Sequence, residues 1–333
     1  MRVVKPAAAA VLAGIALGYA GERAAMRQEA NREDPSGADD FTPLGDVTHH
    51  TLATDDGGAL HVVERGEGRP LVLLHGVTLS TITWHYQFLD LSDRFRVIAI
   101  DHRGHGRSTA GSGGYSMERL AADLAGALTQ LDLRDAIVAG HSMGGMATMR
   151  FAVDFPEVLA ERVSGLALMS TSARPAPAAK MAAAGGALTL PFWGRALRRA
   201  EHRPRGHMPS TDLSYLFTRV ALGGHPSQTH VELTKMMTAA TSPAVLADLM
   251  ESAIYHFDVT AELPEVDVAT EVIVGSRDNL TPPRHARLIA SLMPRAELTV
   301  LPGCGHMAML ERRREVEDIL VRLATRTARS SPA

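Results

Sequence analysis

Short runs of apolar residues recur along this chain, and most of them end in glycine, serine, histidine or aspartate. The runs occupy residues 71–74, 97–100, 136–140, 166–169, 272–275 and 297–301. Unbroken apolar runs of this length are typical of strands that are buried on both faces of a parallel sheet. Apolar residues at helical spacing follow several of the runs, which indicates strand–helix–strand units with right-handed crossovers. The pattern predicts an α/β protein.

The first two strands are predicted from a different pattern. Residues 47–53 alternate between polar and apolar, and 59–64 follow after an Asp/Gly turn at 55–58. This is typical of a hairpin at the edge of a sheet. His49 and His50 are neighbours, so they point to opposite faces of a strand and do not converge on a metal ion; no metal site is predicted. With the six runs, the hairpin predicts a mostly parallel sheet of eight strands flanked by helices.

The strand–helix rhythm stops between residues 173 and 263. This region is rich in alanine, methionine and arginine, and prolines divide it into helical segments. Residues 215–217 and 236–237 have the apolar character of buried helix faces. We predict a helical cap inserted over the strand ends; the alternative is a disordered linker. The α/β core is then formed by residues 46–172 and 264–327, with a frayed C-terminus at 328–333.

The N-terminus has a different composition from the rest of the chain. Arg2 and Lys5 precede an alanine-rich apolar run at residues 6–20. The run is short for a membrane span and is typical of a signal-peptide core, so export or membrane association is predicted. The alternative is a frayed helix on a cytoplasmic protein. Residues 22–44 are charged and contain Pro and Gly, which indicates a linker, so residues 1–45 are predicted to lie outside the core.

Composition and charge exclude some functions. The chain has 333 residues and a formal net charge of −3, so nothing indicates a nucleic-acid partner. Its one cysteine, Cys304, cannot form an intramolecular disulfide and is interpreted as a small core residue rather than a second nucleophile. No metal or organic cofactor is implied, and the oligomeric state is not indicated.

The third of the six apolar runs carries the strongest chemical signal. The apolar run at 136–140 leads into Gly-x-Ser-x-Gly, with Ser142 at its centre, and helical spacing resumes directly afterwards. A sharp strand–turn–helix connection forces its central residue into a strained backbone with positive φ. The serine hydroxyl then projects at the carboxyl end of the sheet, where the next amide can face an oxyanion.

Two later strand ends supply partners for this serine. A serine hydroxyl needs a general base, and the base needs a carboxylate that fixes its tautomer. Asp278 follows the run at 272–275, and His306 follows the run at 297–301. Carboxyl ends of parallel strands lie at one edge of a sheet, so we expect all three side chains to emerge there. The chain order Ser, Asp, His agrees with this sheet type.

Five motifs in this order resemble those of the α/β-hydrolase superfamily, in its cap-bearing branch of esterases, lipases, perhydrolases and carbon–carbon bond hydrolases. The resemblance spans residues 48–324 and implies an α/β-hydrolase fold. The motifs are His75-Gly76, Asp101-x-Arg103-Gly104-x-Gly106-x-Ser108, Gly140-His141-Ser142-Met143-Gly144-Gly145, Gly275-x-x-Asp278 with Pro282, and Gly305-His306.

The resemblance implies a role for each matching position. Ser142 would be the nucleophile, His306 the general base and then acid, and Asp278 the orienting carboxylate. The oxyanion would be bound by the backbone N–H groups of Val77 and Met143. Removing one such donor typically costs about 3–4 kcal/mol of transition-state stabilisation.

Three further positions flank this predicted site. His75, Gly76 and His141 are expected on the substrate side, and the two histidines are interpreted as bracing the backbone rather than titrating. Asp101 also ends a strand and is a rival for the acid, but its Arg/Gly-rich loop indicates a buried ion pair, with Arg103 as the expected partner.

The resemblance leaves several activities open. Epoxide hydrolases and haloalkane dehalogenases need a carboxylate nucleophile, which Ser142 excludes, and the His-Gly-Gly-Gly signature of other esterases is absent. The leading hypothesis is hydrolysis of a hydrophobic or lipid-like small-molecule ester through an acyl-enzyme. The alternatives are a carbon–carbon bond hydrolase, a cofactor-free perhydrolase, and a non-catalytic ligand receptor on the same fold.

Overall fold

A computed structural model describes residues 41, 47–175, 218, 221–224, 226–252 and 256–328. Its centre is a single sheet of eight strands in the order β1-β2-β4-β3-β5-β6-β7-β8. All eight predicted strands are confirmed, most with an added residue or two at an end. The strands are β1 (Thr48–Ala53), β2 (Ala59–Arg65), β3 (Arg69–Leu74), β4 (Phe95–Ile100), β5 (Ala136–His141), β6 (Val163–Met169), β7 (Ala269–Gly275) and β8 (Ala296–Leu301).

The sheet is antiparallel only at one edge. β1 pairs with β2, and β2 with β4, in antiparallel register, as the predicted hairpin requires. The remaining neighbours are parallel. Across the site-bearing half of the sheet, His141 pairs with Met169 and Met169 with Ile273. The chain therefore leaves β5, β6 and β7 at nearly the same height, which brings their following loops together.

Helices cover both faces of the sheet and bury its apolar strands. One face packs against α2, α3, α4 and α7, and the other against α1, α8 and α9. Leu73, Ile98 and Val138 have no exposed surface, and burying such a side chain contributes about 1.5–3 kcal/mol each. The helices are α1 (His85–Asp90), α2 (Met117–Gln130), α3 (Met143–Asp154), α4 (Pro156–Arg162), α5 (Gln228–Ala240), α6 (Pro243–Glu251), α7 (Pro283–Leu292), α8 (Ala308–Glu311) and α9 (Arg313–Thr327).

The segment between β6 and β7, predicted as a cap, contains α5 and α6 in its described part. Ser227 and Ser242 cap these helices, each accepting a backbone N–H with its hydroxyl, which satisfies one unpaired donor of the first turn. Of the predicted buried pair, Met237 is buried, but Met236 is 57% exposed. Consecutive helical residues point about 100° apart, so one face cannot bury both. The other predicted buried stretch, residues 215–217, lies outside the described residues.

The N-terminal segment is described only at Phe41. This residue falls within the predicted linker, yet its side chain is buried. Its ring lies 4.7 Å from that of His85, 5.5 Å from that of Tyr86 and 6.2 Å from that of His230 on α5. The linker prediction is therefore wrong for this residue, which packs on the core. The apolar run at 6–20 lies outside the described residues, and within the described ranges no helix is long and apolar enough to cross a bilayer.

Candidate active site

Ser142 occupies the turn between β5 and α3. Its backbone has φ 52° and ψ −115°, in a region that non-glycine residues rarely adopt, as the motif predicts. Its N–H donates to Met169 O at 2.9 Å, which fixes the turn to β6. A Cβ on Gly140 would lie 2.6 Å from Thr148 Oγ1, so the glycine before the turn permits α3 to approach β5.

His306 and Asp278 form the predicted pair. His306 Nδ1 donates to Asp278 Oδ2 at 2.9 Å, and neither side chain is more than 5% exposed. Because Nδ1 carries the proton, Nε2 of the neutral imidazole is the atom that can accept one. His306 follows β8 and Asp278 follows β7, so both reach the site from the same sheet edge as Ser142.

Asp278 is held in place by a local turn. Its Oδ1 accepts N–H groups from Leu280 at 2.9 Å and Thr281 at 2.8 Å, and its Oδ2 accepts the Thr281 hydroxyl at 2.8 Å. Burial alone would raise the pKa of Asp278. The electrostatic interaction and the hydrogen bond with His306, together with the hydrogen bonds from Thr281, outweigh burial and hold this pKa below its usual range. The carboxylate is therefore charged and its orientation is fixed.

The two predicted oxyanion donors are Val77, in the loop after β3, and Met143, at the start of α3. Among the hydrogen bonds of the described residues, none uses the N–H of Val77 or of Met143. Thr78, next to Val77, has φ 62°, and its N–H donates to His105 Nε2 at 3.1 Å. This bond and the left-handed conformation hold the turn that contains Val77.

The substrate-side position of His75 stays a prediction, and its side chain is buried in the loop that follows β3. It has no exposed surface, and its Nδ1 donates to Gly76 O at 2.7 Å. Its Nε2 accepts the N–H of His102 at 3.0 Å. Both ring nitrogens are occupied by backbone groups, so His75 braces the loop. Burial lowers its pKa, which keeps the ring neutral.

His141 is hydrogen-bonded to the backbone of the His306 loop, and its predicted place on the substrate side stays a prediction. It is 1% exposed, and its Nε2 donates to the carbonyl of His306 at 3.0 Å. The two rings lie edge to face with centroids 4.7 Å apart. A Cβ on Gly76 would lie 2.9 Å from His141 Nδ1 and 3.1 Å from Ser142 Cβ, so a glycine at this position lets the loop approach both residues closely. The residue beside Ser142 thus positions the backbone of His306.

The Ser142 hydroxyl makes no hydrogen bond to any described residue, and His306 Nε2 makes none either. The serine–histidine bond of the predicted triad is therefore not formed in this structure. In unliganded enzymes such bonds are often long and shorten only when substrate binds. Within the described residues, the arrangement provides a projecting hydroxyl, an imidazole whose Nε2 is open to accept a proton, and two backbone N–H groups without an internal partner.

Asp101 does not pair with Arg103. Its Oδ2 accepts from His61 Nδ1 at 2.8 Å, and its Oδ1 accepts the N–H of Thr81 at 2.8 Å. His61 comes from β2, which lies beside β4 in the sheet, and its Nε2 bonds to His49 on β1 at 2.9 Å. Asp101 therefore anchors the hairpin edge.

Arg103 instead lies in a buried ion cluster. It has no exposed surface, and it contacts both oxygens of Asp123 at 2.7 Å. It also donates to Asp56 at 2.9 Å and to Gly114 O at 2.8 Å. The expectation that Arg103 is buried and ion-paired is confirmed, but the predicted partner is wrong.

Three residues at the site are not identified from the sequence. Thr281 orients Asp278, His105 holds the Val77 turn, and Thr171 donates its hydroxyl to Ser142 O at 2.7 Å. The sequence could have indicated Thr281, because a residue three positions after an aspartate in a turn can hydrogen-bond to the aspartate's carboxylate. His105 and Thr171 act across loops from different strands, and their spacing in the chain contains no such signal.

Comparison with known proteins agrees with this architecture. The sequence profile of the family described as alpha/beta hydrolase fold matches residues 69–313. A non-heme haloperoxidase of Rhodococcus erythropolis is 29% identical over 261 residues, covering 77% of this chain and 92% of that protein. A non-heme chloroperoxidase of Kitasatospora aureofaciens is 29% identical over 255 residues, covering 76% and 90%. A thermophilic esterase from Thermogutta terrifontis, a solved structure, has a TM-score of 0.71 at 27% identity and covers 84% of this chain and 99% of that one.

Proposed function

The chain belongs to the α/β-hydrolase fold family and is an enzyme of that family, and we propose that it hydrolyses carboxylic esters of small molecules through an acyl-enzyme on Ser142. One observation carries the proposal. A strained serine with an unbonded hydroxyl follows β5, at the sheet edge where His306 is hydrogen-bonded to a charged Asp278.

Acylation uses the open acceptor of His306. Its Nε2 takes the Ser142 hydroxyl proton as Oγ attacks the ester carbonyl carbon, and the carbonyl π pair moves to oxygen. Asp278 stabilises the imidazolium that forms. When the intermediate collapses, the carbonyl re-forms and the bond to the alkoxy group breaks. His306 Nε2 gives its proton to that group, which leaves as an alcohol.

The free amides of Val77 and Met143 would stabilise the oxyanion of this intermediate. Each N–H lacks a partner within the described chain, so no internal bond has to break before it donates. Preorganised donors of this kind contribute about 2.7–4 kcal/mol each to the transition state. The His105 and His75 contacts that fix the loop support this role.

Deacylation repeats the chemistry with water. His306 Nε2 accepts a proton from water as its oxygen attacks the acyl carbon. Collapse then breaks the bond to Ser142 Oγ, which recovers the proton from His306. The products are a carboxylic acid and the free enzyme.

Substitution of Ser142 tests the proposal. We expect Ser142→Ala to lower kcat for p-nitrophenyl butyrate by at least about 10³-fold, because no hydroxyl remains to be acylated. A fluorophosphonate probe should label the wild type and leave the variant unlabelled. Ser291→Ala, at an exposed serine on α7, is the matched control and should keep wild-type rates. Equal rates for wild type and Ser142→Ala would refute the mechanism.

The haloperoxidase relatives favour a second candidate. In it, hydrogen peroxide instead of water opens the same acyl-enzyme and releases a peroxycarboxylic acid, which oxidises halide. Acetate-dependent oxidation of bromide by hydrogen peroxide, measured with wild type and Ser142→Ala, distinguishes the two reactions. Carbon–carbon bond hydrolysis predicts turnover of vinylogous diketones. The hypothesis of a non-catalytic receptor predicts tight ligand binding with negligible turnover, and slow labelling of Ser142 by a fluorophosphonate.

A hydrophobic or lipid-like acyl group is the proposed substrate feature, supported by the apolar composition of the segment predicted as a cap. Relative kcat/KM across p-nitrophenyl esters of graded chain length measures this preference; a maximum at acetate would contradict it. Export or membrane association stays a prediction from residues 1–20. Fractionation of cells that express the whole chain, followed by immunodetection, tests it.

A further inference from the structure

A carboxylate that the proposed reaction does not use lies at the end of α8, shortly after His306. Glu311 Oε1 accepts the N–H of Gly305 at 3.2 Å and of Met307 at 3.2 Å. Its Oε2 accepts Gly305 N–H at 3.0 Å and Gly223 N–H at 2.7 Å. One side chain therefore binds the residues immediately before and after His306, and also the segment between β6 and β7.

The backbone of His306 itself contacts the same segment. Its N–H donates to Ala221 O at 2.7 Å. A Cβ on Gly223 would lie 2.5 Å from Glu311 Oε2 and 2.7 Å from Gly303 O, so only glycine fits this close approach. Residues 221–224 and the 303–307 loop are thus joined by one direct backbone bond and by the Glu311 carboxylate between them.

The chemistry of the contact requires an ionised acceptor. Among the described residues, all of the hydrogen-bond donors to the Glu311 carboxylate are backbone N–H groups, and a carboxylate is the side chain that accepts on both oxygens without offering a proton. Burial raises the pKa of Glu311, and the bonds from Gly305, Gly223 and Met307 oppose that effect. An amide in the same place would direct its NH₂ group at one of these donors.

We propose that Glu311 is a positioning residue, which fastens the 221–224 segment of the predicted cap to the His306 loop and so sets the place of the imidazole relative to Ser142. This inference rests on the proposed function. It makes the position of the cap segment and that of the general base interdependent, although Glu311 touches no reacting atom. Loss of the carboxylate loosens the loop, and a misplacement of about 1 Å at a catalytic group can cost about 10²-fold in rate.

The experiment compares Glu311→Ala, Glu311→Gln and the control Glu315→Gln, which removes an exposed carboxylate on α9. With p-nitrophenyl butyrate, we expect Glu311→Ala to lower kcat by about 10- to 100-fold with KM changed by less than about threefold. Glu311→Gln should give a smaller loss, because its carbonyl oxygen can still accept from Gly305 and Met307. Glu315→Gln should behave as wild type.

Amide hydrogen exchange gives a readout that does not depend on activity. Glu311→Gln is the milder of the two Glu311 substitutions, because it keeps the size of the side chain. In this variant, amides in peptides covering 221–224 should exchange about tenfold faster than in wild type. In Glu311→Ala, peptides covering 303–307 should also exchange faster. Unchanged exchange in both peptides, or a wild-type kcat in Glu311→Ala, overturns the positioning role.

Ser142→Ala in the same assay separates the two proposals. If Ser142→Ala is inactive and the Glu311 variants keep both kcat and exchange rates, the positioning role fails and the serine mechanism stands. If Ser142→Ala is active while exchange at 221–224 and 303–307 rises in the Glu311 variants, the serine mechanism fails and the fastening of the two segments stands.

Discussion

Asp278→Asn should inactivate the enzyme while leaving its fold intact. Four donors converge on the two carboxylate oxygens: two backbone N–H groups on Oδ1, and the Thr281 hydroxyl and His306 Nδ1 on Oδ2. The backbone donors cannot reverse, so the asparagine oxygen must stay on the Oδ1 side. Its NH₂ group then takes the Oδ2 side.

This placement changes the tautomer of His306. The Thr281 hydroxyl can rotate to accept one N–H of the new amide, whereas His306 Nδ1 can accept the other only by giving up its own proton. The imidazole proton moves to Nε2, which can no longer take the proton of Ser142. We expect kcat to fall by about 10⁴-fold, which equals about 5.4 kcal/mol of activation free energy. Because every bond at the site can re-form, unfolding free energy should fall by less than about 1.5 kcal/mol.

The assay is kcat for p-nitrophenyl butyrate at pH 7, with urea unfolding measured in parallel. Asp101→Asn is the matched control, because Asp101 is also a buried carboxylate that accepts from a histidine and from backbone N–H groups. It should change kcat by less than about tenfold and cost about 1–3 kcal/mol of stability. The tautomer argument is wrong if kcat falls by less than about 10²-fold in Asp278→Asn. It is also wrong if kcat falls further in Asp101→Asn than in Asp278→Asn.

Two further predictions concern stability. Arg103→Met leaves the buried carboxylate of Asp123 without its partner and should lower the urea unfolding free energy by about 3–5 kcal/mol; a cost below about 1 kcal/mol would contradict the buried-pair assignment. Burial, with a contribution from Asp90, raises the pKa of Glu317 to about 7. Between about pH 4.5 and 7, the native protein keeps the Glu317 proton and the unfolded chain has lost it. The free energy of unfolding therefore declines as pH rises through this range. Glu317→Gln should match wild type in urea unfolding at pH 4 and exceed it by about 1–3 kcal/mol at pH 8, and a pH-independent difference would refute this.

The backbone framework was predictable because its signals are local. Each buried strand is a contiguous apolar run, and Ser142 lies between two glycines that the turn requires. Asp278 and His306 follow from the rule that parallel strands end at one edge. These features need no knowledge of which residues touch across the sheet.

Side-chain partners were less predictable, because they depend on register and loop path. Asp101 pairs with His61 because β2 lies antiparallel beside β4, which the spacing of the two residues does not encode. Arg103 reaches Asp123 on a helix and Asp56 in the hairpin turn instead of its neighbour Asp101. His75 and His141 are both buried, and their burial depends on neighbouring loops that no local pattern specifies.

Phe41 determines where a tether would attach. Its ring sits against Tyr86 and against His230 of α5, so the first forty residues join the folded body beside the predicted cap. A chain truncated to begin at Asp46 lacks the Phe41 ring and exposes the part of Tyr86 that this ring covers. A truncated protein for purification should therefore begin upstream of Phe41.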